Sequence, residues 1–136
     1  MSLPDAVDLV VEYLRAQEHL AEVAVSAGRP EHLVAGAPAL IVERIADVPP
    51  SRLPWARTRR TKLGIQAWVT AEGAAALRVL HGALAALYAA RAVTMPGGGR
   101  IERVAALGDP TEVPDTDTGT GAGVHRAVAT IEVTVR

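Results

Sequence analysis

The sequence predicts an α+β domain: one mainly antiparallel β-sheet of about five strands with two α-helices packed on one face. Three observations lead to this prediction. Two long segments carry apolar residues at helical spacing, several shorter segments alternate apolar with polar residues, and Gly and Pro separate them. The chain has 136 residues, of which 49% are apolar, and this composition is typical of one globular domain, residues 1–136.

The first helix is predicted within residues 2–17. Ser2 and Asp5 form a variant of a capping box, and Pro4 suits a first helical turn. The apolar residues at helical spacing are Val7, Val10, Val11 and Leu14. We expect this helix to continue, or to restart, as far as Gly28.

Three strands and a loop are predicted next. Residues 31–35 and 39–46 are short apolar runs separated by Gly and Pro, which indicates two strands and a turn. Residues 47–61 contain three prolines and many Arg and Thr residues, so we expect a loop, the basic loop. Residues 62–70 alternate, which predicts a half-buried strand. Its predicted inward residues are Leu63, Ile65, Ala67 and Val69.

The second helix is predicted over residues 72–91, followed by two strands. The helix has an apolar stripe formed by Leu77, Leu80, Leu84 and Leu87. The glycine-rich turn 95–100 ends it, and residues 100–107 and 124–136 have strand patterns. The predicted inward residues of the last strand are Ala127, Ala129, Ile131, Val133 and Val135. Between these strands lies a Gly- and Asp-rich segment, residues 108–123, which we expect to be an acidic flexible loop.

The segment DTDTGTGAGVHR, residues 115–126, is similar to the start of a calcium-binding loop. Asp115 and Asp117 occupy the first and third positions of an EF-hand pattern. However, Gly119 stands at the fifth position, and Arg126 stands where the pattern requires a bidentate Glu. We therefore predict a solvated loop here and no metal site.

No other pattern predicts catalysis or cofactor binding. The four histidines lack the spacing of a helical zinc site, and the serines lie in no nucleophile elbow. The PGGGR turn follows a helix, whereas a phosphate-binding loop precedes one. The chain has no cysteine, which excludes disulfides and thiol chemistry. We expect a protein that is not an enzyme and holds no cofactor.

Charge is distributed unevenly along the chain, although the formal net charge is only −1. No acidic residue occurs between Asp47 and Glu72, where the basic residues are Arg52, Arg57, Arg59, Arg60 and Lys62. No basic residue occurs between Arg103 and Arg126, where the acidic residues are Asp109, Glu112, Asp115 and Asp117. These residues are either solvated or contact charged partners, and Trp55 adds an aromatic anchor typical of interfaces. RTRR could also contact phosphates, but the sequence shows no recognition helix.

Three segments together resemble a known family. They are LPDAVDLVVEYLR near the start, IQAWVTA running into an Ala/Leu helix, and a Gly/Asp-rich loop before HRAVATIEVTVR. This layout, over nearly the whole chain, resembles the tail terminator (tail-completion) proteins of long-tailed bacteriophages, especially those of high-GC actinobacterial hosts. The basic loop is longer and more basic than that fold requires.

The resemblance implies a structural virion protein. Such proteins form a homo-oligomeric, hexameric ring on the head-proximal end of the tail tube and stop its polymerisation. The ring joins the tail tube protein to the head–tail connector or stopper protein, and genomic DNA passes through the lumen. The implied location is the tail or neck of the virion, after assembly in the host cytoplasm, with no membrane partner.

Two alternatives remain open at this stage. Head–tail joining and neck adaptor proteins of the same virion have a similar size and α+β layout. The second alternative belongs to another class, a small ligand-binding or regulatory α+β domain, which needs a concave pocket with convergent polar groups.

Overall fold

The structure is a computed structural model that describes residues 5–28, 38–48, 58–69, 73–113 and 125–136. Within these ranges the structure has two α-helices, α1 (Ala6–Arg15) and α2 (Gly73–Tyr88), and a short 3-10 turn over Glu18–Leu20. The same described residues form seven strands: β1 (Ala24–Ala27), β2 (Ala39–Asp47), β3 (Arg59–Val69), β4 (Val93–Thr94), β5 (Arg100–Ala106), β6 (Thr111–Val113) and β7 (His125–Val135).

All seven strands belong to one mixed sheet that curls into a half-barrel. The order across the sheet is β1-β2-β3-β7-β5-β4, and β6 pairs with β7. β1 runs parallel to β2, and the other pairs are antiparallel. The prediction of about five mainly antiparallel strands is therefore wrong. It missed β1, β4 and β6, whose two to four residues are too short for an alternating pattern to be recognised.

The two central strands form the frame of the core. β3 and β7 have 11 residues each and pair in unbroken register from Arg59 opposite Val135 to Val69 opposite His125. The predicted inward residues of both strands are buried, as the alternation indicated. Each large apolar side chain buried in this way contributes about 1.5–3 kcal/mol relative to exposure. We call this apolar side of the sheet the inner face, and the opposite side the outer face.

Two register shifts interrupt the ladders beside this frame. In β2, Ile45 is the extra residue between Arg44 and Ala46, and in β5, Glu102 is the extra residue between Ile101 and Arg103. A bulge bends its strand and increases the local twist, which is how a sheet curls over its core. Single extra residues of this kind leave no clear pattern in a sequence.

Helix α1 begins after Asp5, which is its N-cap, whereas the predicted capping box has Asp5 inside the first turn and Ser2 as the cap; Ser2 lies outside the described residues. The Asp5 carboxylate accepts a hydrogen bond of 2.8 Å from the Val7 N–H, and Arg44 Nη2 lies 2.6 Å from Asp5 Oδ2. Burial alone would raise the pKa of Asp5, but these two contacts outweigh it and the net pKa is lowered. The helix ends at Arg15 and does not reach Gly28, because the chain turns and enters β1. The predicted continuation is wrong.

Helix α2 packs across the inner face of the sheet. Leu80, Leu84 and Leu87 of the predicted stripe are buried, whereas Leu77 is half-buried against the core. The buried alanines of this helix are Ala76, Ala83 and Ala86. Small side chains of this kind permit close approach of the helix to the sheet. The Tyr13 hydroxyl donates a 2.8 Å hydrogen bond to the Ala86 carbonyl, which joins α1 to α2.

Several predictions fall on residues outside the described ranges. They are the strand 31–35, residues 49–57 of the basic loop, and residues 114–123 of the acidic loop. Within the described ranges, neither helix has the length and hydropathy that a membrane-spanning helix requires.

Candidate functional site

The structure describes five of the ten residues that the charge pattern marks as interface candidates. These are Arg59, Arg60, Lys62, Asp109 and Glu112. The other five lie outside the described residues: Arg52, Trp55, Arg57, Asp115 and Asp117.

Arg59 and Arg60 belong to strand β3 and not to the predicted loop 47–61. The inward alternation of β3 extends one step further back than predicted, to Thr61, which is fully buried. The Thr61 hydroxyl donates a 3.0 Å hydrogen bond to the Asp47 carboxylate, so the buried polar group is satisfied. This alternation places Arg60 and Lys62 on the outer face, where both are exposed.

Three exposed cations form what we call the basic patch: Arg60, Lys62 and Arg103. Lys62 lies opposite Glu132, and Arg60 and Arg103 flank Thr134 from either side. Arg60, Arg103 and Glu132 help to line a shallow cleft of about 230 Å³. Arg60 Nη1 lies 3.5 Å from Glu132 Oε1, whereas Lys62 and Arg103 have no ion pair within the described part of the chain. The patch therefore contains three cations and one carboxylate, that of Glu132, which already contacts Arg60.

The acidic residues follow β5, on the side of β7 away from β3. β5 and β6 both pair with this side of β7, and residues 107–110 form a bulge between them. The Leu107 N–H still donates to the Thr130 carbonyl at 3.0 Å. Asp109 lies in this bulge and Glu112 in β6, and both are exposed. Part of the segment predicted as an acidic loop, 108–123, is therefore a strand. We call Asp109 and Glu112 the acidic edge.

Lys62 of the basic patch and Glu112 of the acidic edge are too far apart along the sheet to pair within one chain. Along β7, Lys62 lies opposite Glu132 and Glu112 lies opposite Ala127. At about 3.3 Å per strand residue, this offset of five residues corresponds to about 17 Å. Paired residues share a face, so Glu112 lies on the inner side with Ala127, whereas Lys62 points outward. Within the described residues, neither set has the other as an ion-pair partner.

A second polar cluster covers the far end of the outer face. The Arg126 guanidinium carbon lies 5.2 Å from the centre of the Trp68 ring, a cation–π contact between cross-strand neighbours. Trp68 Nε1 donates to Gln66 Oε1 at 3.1 Å, and Gln66 Nε2 donates to Glu43 Oε2 at 3.3 Å. The side chains of this cluster therefore contact one another. One of them is Arg126, which stands at the position where an EF-hand requires Glu.

A shallow apolar cleft of about 300 Å³ lies between α2 and the bulge of the acidic edge. Its walls are formed by His81, Leu84, Ala85, Tyr88, Ala106, Gly108, Asp109 and Pro110. Burial raises the pKa of the Tyr88 hydroxyl, so this side chain is neutral at physiological pH. In the described part of the chain, no group of three or more His, Asp or Glu side chains is placed to hold a metal ion.

One exposed apolar side chain lies beside the basic patch. Ile45 is 56% exposed and lies over Gly64 on the outer face, where its Cδ1 would be 3.6 Å from a Cβ at that glycine. The adjacent bulge residue Ala46 lies opposite Lys62. Within the described residues, the only other exposed large apolar side chain is Leu107, at 43%, beside the acidic edge.

Comparison with known proteins does not identify a family for this chain. No protein-family model matches the chain, and a search of curated proteins finds no match. The resemblance to tail terminators therefore stays an interpretation of the sequence.

The charge pattern of the sequence indicates Arg60, Lys62, Asp109 and Glu112, but it does not indicate three other residues of these surfaces. Arg103 and Glu132 lie in predicted strands, and the sequence pattern does not show which charged residues lie opposite them across the sheet. Ile45 gave no signal, because in the apolar run ALIVERIA it has the pattern of a buried residue. Only the bulge, which shifts the register after Arg44, places it on the outer face.

Proposed function

We propose that this chain is a structural virion protein of a long-tailed bacteriophage: a tail terminator that forms a ring on the head-proximal end of the tail tube. In this role it stops tube polymerisation and joins the tail to the head connector. The proposal combines the family resemblance of the sequence with one observation on the structure. That observation is the placement of two complementary charged surfaces on different sides of one sheet.

Such a placement supports head-to-tail assembly. A ring of identical subunits requires two different surfaces on each subunit, one for each neighbour. The basic patch on the outer face and the acidic edge beside α2 have opposite charge, and within the described residues no ion pair joins them. Complementary potentials of this kind favour the correct register between neighbours more than they raise affinity.

The proposal is tested with the tail tube protein encoded by the same phage genome. Tube protein is polymerised with and without the purified chain, and tube lengths are measured by negative-stain electron microscopy. We expect short tubes with a ring at one end when the chain is present. Tubes of unchanged length and bare ends would contradict the proposal. Binding to the head connector without any effect on the tube would indicate a neck adaptor.

The cleft beside α2 favours a second candidate, a small ligand-binding domain. Its volume of about 300 Å³ is at the lower limit for small-molecule sites, and His81, Tyr88 and Asp109 provide polar groups around apolar walls. Gly108 and Asp109 are exposed, so the cleft is open to solvent along the bulge. A thermal-shift screen with small metabolites tests this candidate. A ligand that raises the melting temperature of wild type but not of Ala85→Trp would support it.

A further inference from the structure

Two surfaces of the chain pair an exposed apolar side chain with an open apolar cleft, and they carry opposite charge. On the outer face, Ile45 protrudes beside Lys62, with Arg60 and Arg103 further along the basic patch. Beside α2, the apolar cleft is open and Asp109 forms part of its wall. An exposed aliphatic side chain flanked by cations thus corresponds to an apolar cleft flanked by a carboxylate.

We infer that Ile45 of one copy docks into the cleft between α2 and residues 106–110 of a second copy. In this contact, Lys62 and Arg60 of the first copy lie against Asp109 of the second. The inference names the contact by which neighbouring subunits of the proposed ring recognise each other, and to that extent it rests on the proposed function. The contact itself can be tested without reference to phage assembly.

The positions of the two surfaces make this contact head-to-tail. Ile45 lies on β2, and the cleft borders β5, which is three strand positions away in the sheet. At about 4.8 Å between neighbouring strands, this separation is about 14 Å even before the curl of the sheet is considered. A subunit cannot therefore insert its own Ile45 into its own cleft. Each copy instead offers one donor surface and one acceptor surface, which is the arrangement that produces rings or filaments.

The charges favour a protein partner over a nucleic acid. The carboxylate of Glu132 lies within the basic patch, 3.5 Å from Arg60 Nη1, and would repel a phosphate placed there. The neighbouring exposed apolar side chain, Ile45, also has no role in a phosphate contact. An apolar anchor with a charged rim is instead typical of protein interfaces.

The decisive experiment mixes two variants that each lack one surface. Ile45→Asp removes the donor side chain and leaves the cleft intact, whereas Ala85→Trp fills the cleft and leaves Ile45 intact. Both positions are exposed, so neither change replaces a buried side chain. Sedimentation velocity is measured for wild type, for each variant and for their equimolar mixture. Matched controls are Ala21→Asp and Ala24→Trp, at exposed positions that belong to neither surface.

The inference predicts a specific pattern of masses. Wild type and both controls associate, and each variant alone is monomeric, with association weakened at least about tenfold by loss of one apolar anchor. The equimolar mixture forms a 1:1 dimer, because one intact donor surface meets one intact acceptor surface. Circular dichroism and melting temperatures of the variants must match those of wild type.

Charge provides a second, independent measurement. Lys62→Glu is expected to weaken association a few-fold, and the effect is expected to shrink at high salt because exposed charges are screened. The matched control is Glu22→Lys, at an exposed position away from the patch. No change on Lys62→Glu would overturn the electrostatic part of the contact.

The outcomes separate this inference from the proposed function. Assembly of Ile45→Asp into the wild-type oligomer would overturn the inference while leaving the ring itself intact. Monomers of wild type at every concentration would overturn the inference, and tube capping would then decide the function separately. Binding of a labelled DNA duplex by monomeric wild type, abolished in Lys62→Glu, would overturn it in favour of a nucleic-acid partner.

Discussion

The two faces of the sheet are formed by the same strands but differ in the burial and polarity of their side chains. On the inner face, alternate residues of β3 and β7 are apolar and buried under α1 and α2. On the outer face, most of the intervening residues are charged or polar, and Arg60, Lys62 and Arg103 are exposed. The inner face therefore determines stability, whereas the outer face can change with little effect on folding.

Two exceptions refine this contrast. Thr61 is a polar residue buried on the inner face, and its hydrogen bond to Asp47 accounts for it. Ile45 is an apolar residue that is 56% exposed on the outer face, where it lies over Gly64. A single exposed apolar side chain is ordinary in a folded protein, but Ile45 adjoins the basic patch, and for this reason it is central to the proposed contact.

The largest expected effect comes from adjacent residues on opposite faces of β3. Leu63 is fully buried, and Leu63→Ala should lower the free energy of unfolding by about 3–4 kcal/mol, because it removes apolar contacts and leaves a cavity. Lys62→Ala, the matched control, should change it by less than about 0.5 kcal/mol. Urea denaturation measures both. Equal effects would show that the two faces do not differ as described.

The exception at Thr61 gives the next effect. Thr61→Val keeps the shape of the side chain and removes its hydrogen bond to Asp47, which should cost about 1 kcal/mol. Thr61→Ser keeps the hydroxyl but removes a buried methyl group, at a cost of about 0.8 kcal/mol. In a double-mutant cycle with Asp47→Ala, the Val variant should show coupling. Additive effects would mean that the hydrogen bond contributes nothing to stability.

A similar effect is expected at the cap that fixes α1 against β2. Asp5→Ala should cost about 1 kcal/mol, and Asp5→Asn less, because Asn can still cap the helix. The folded-state pKa of Asp5 is lowered, so its stabilising contribution is fully present above the ordinary pKa of 3.8 and is lost as the pH falls through the folded value. Denaturation of wild type and Asp5→Asn between pH 7 and pH 3 measures this. The gap between them should close at the acid end, and a constant gap would contradict the assignment.

The smallest effect is expected on the outer face itself. Arg126→Gln removes the cation over the Trp68 ring and should cost about 0.5–1 kcal/mol, because both side chains are only half-buried and the pair keeps contact with water. Tryptophan fluorescence should report the altered surroundings of Trp68. A loss above about 2 kcal/mol would show that this end of the outer face is part of the core and would weaken the contrast between the faces.

The long elements were predictable from the sequence for a physical reason. α2, β3 and β7 each bury one side over many residues, so apolar residues recur at 3.6 or 2 residues and outweigh local exceptions. Extending the alternation of β3 back to Thr61 would also have placed Arg59 and Arg60 in the strand. The signal was present, but the prolines and arginines before it favoured a loop.

The rest depends on contacts between distant residues. β1 is a strand because Ala24–Ala27 pair with Ala39–Val42, and four residues following a helix carry no period of their own. β6 is likewise fixed by its pairing with β7. The curl of the sheet depends on the extra residues at Ile45 and Glu102, which composition does not reveal. The same bulge placed Ile45 outside, so the apolar part of the candidate site was unpredictable, whereas its charges were visible in the sequence.

Native mass spectrometry of the full-length wild-type chain over a range of concentrations tests the central claim most directly. The claim is that copies of this chain assemble head-to-tail through two different surfaces. It predicts one dominant closed assembly, with the mass of six chains as the family resemblance implies. A monomer at every concentration, or a dimer that does not grow further as the concentration rises, would contradict the claim.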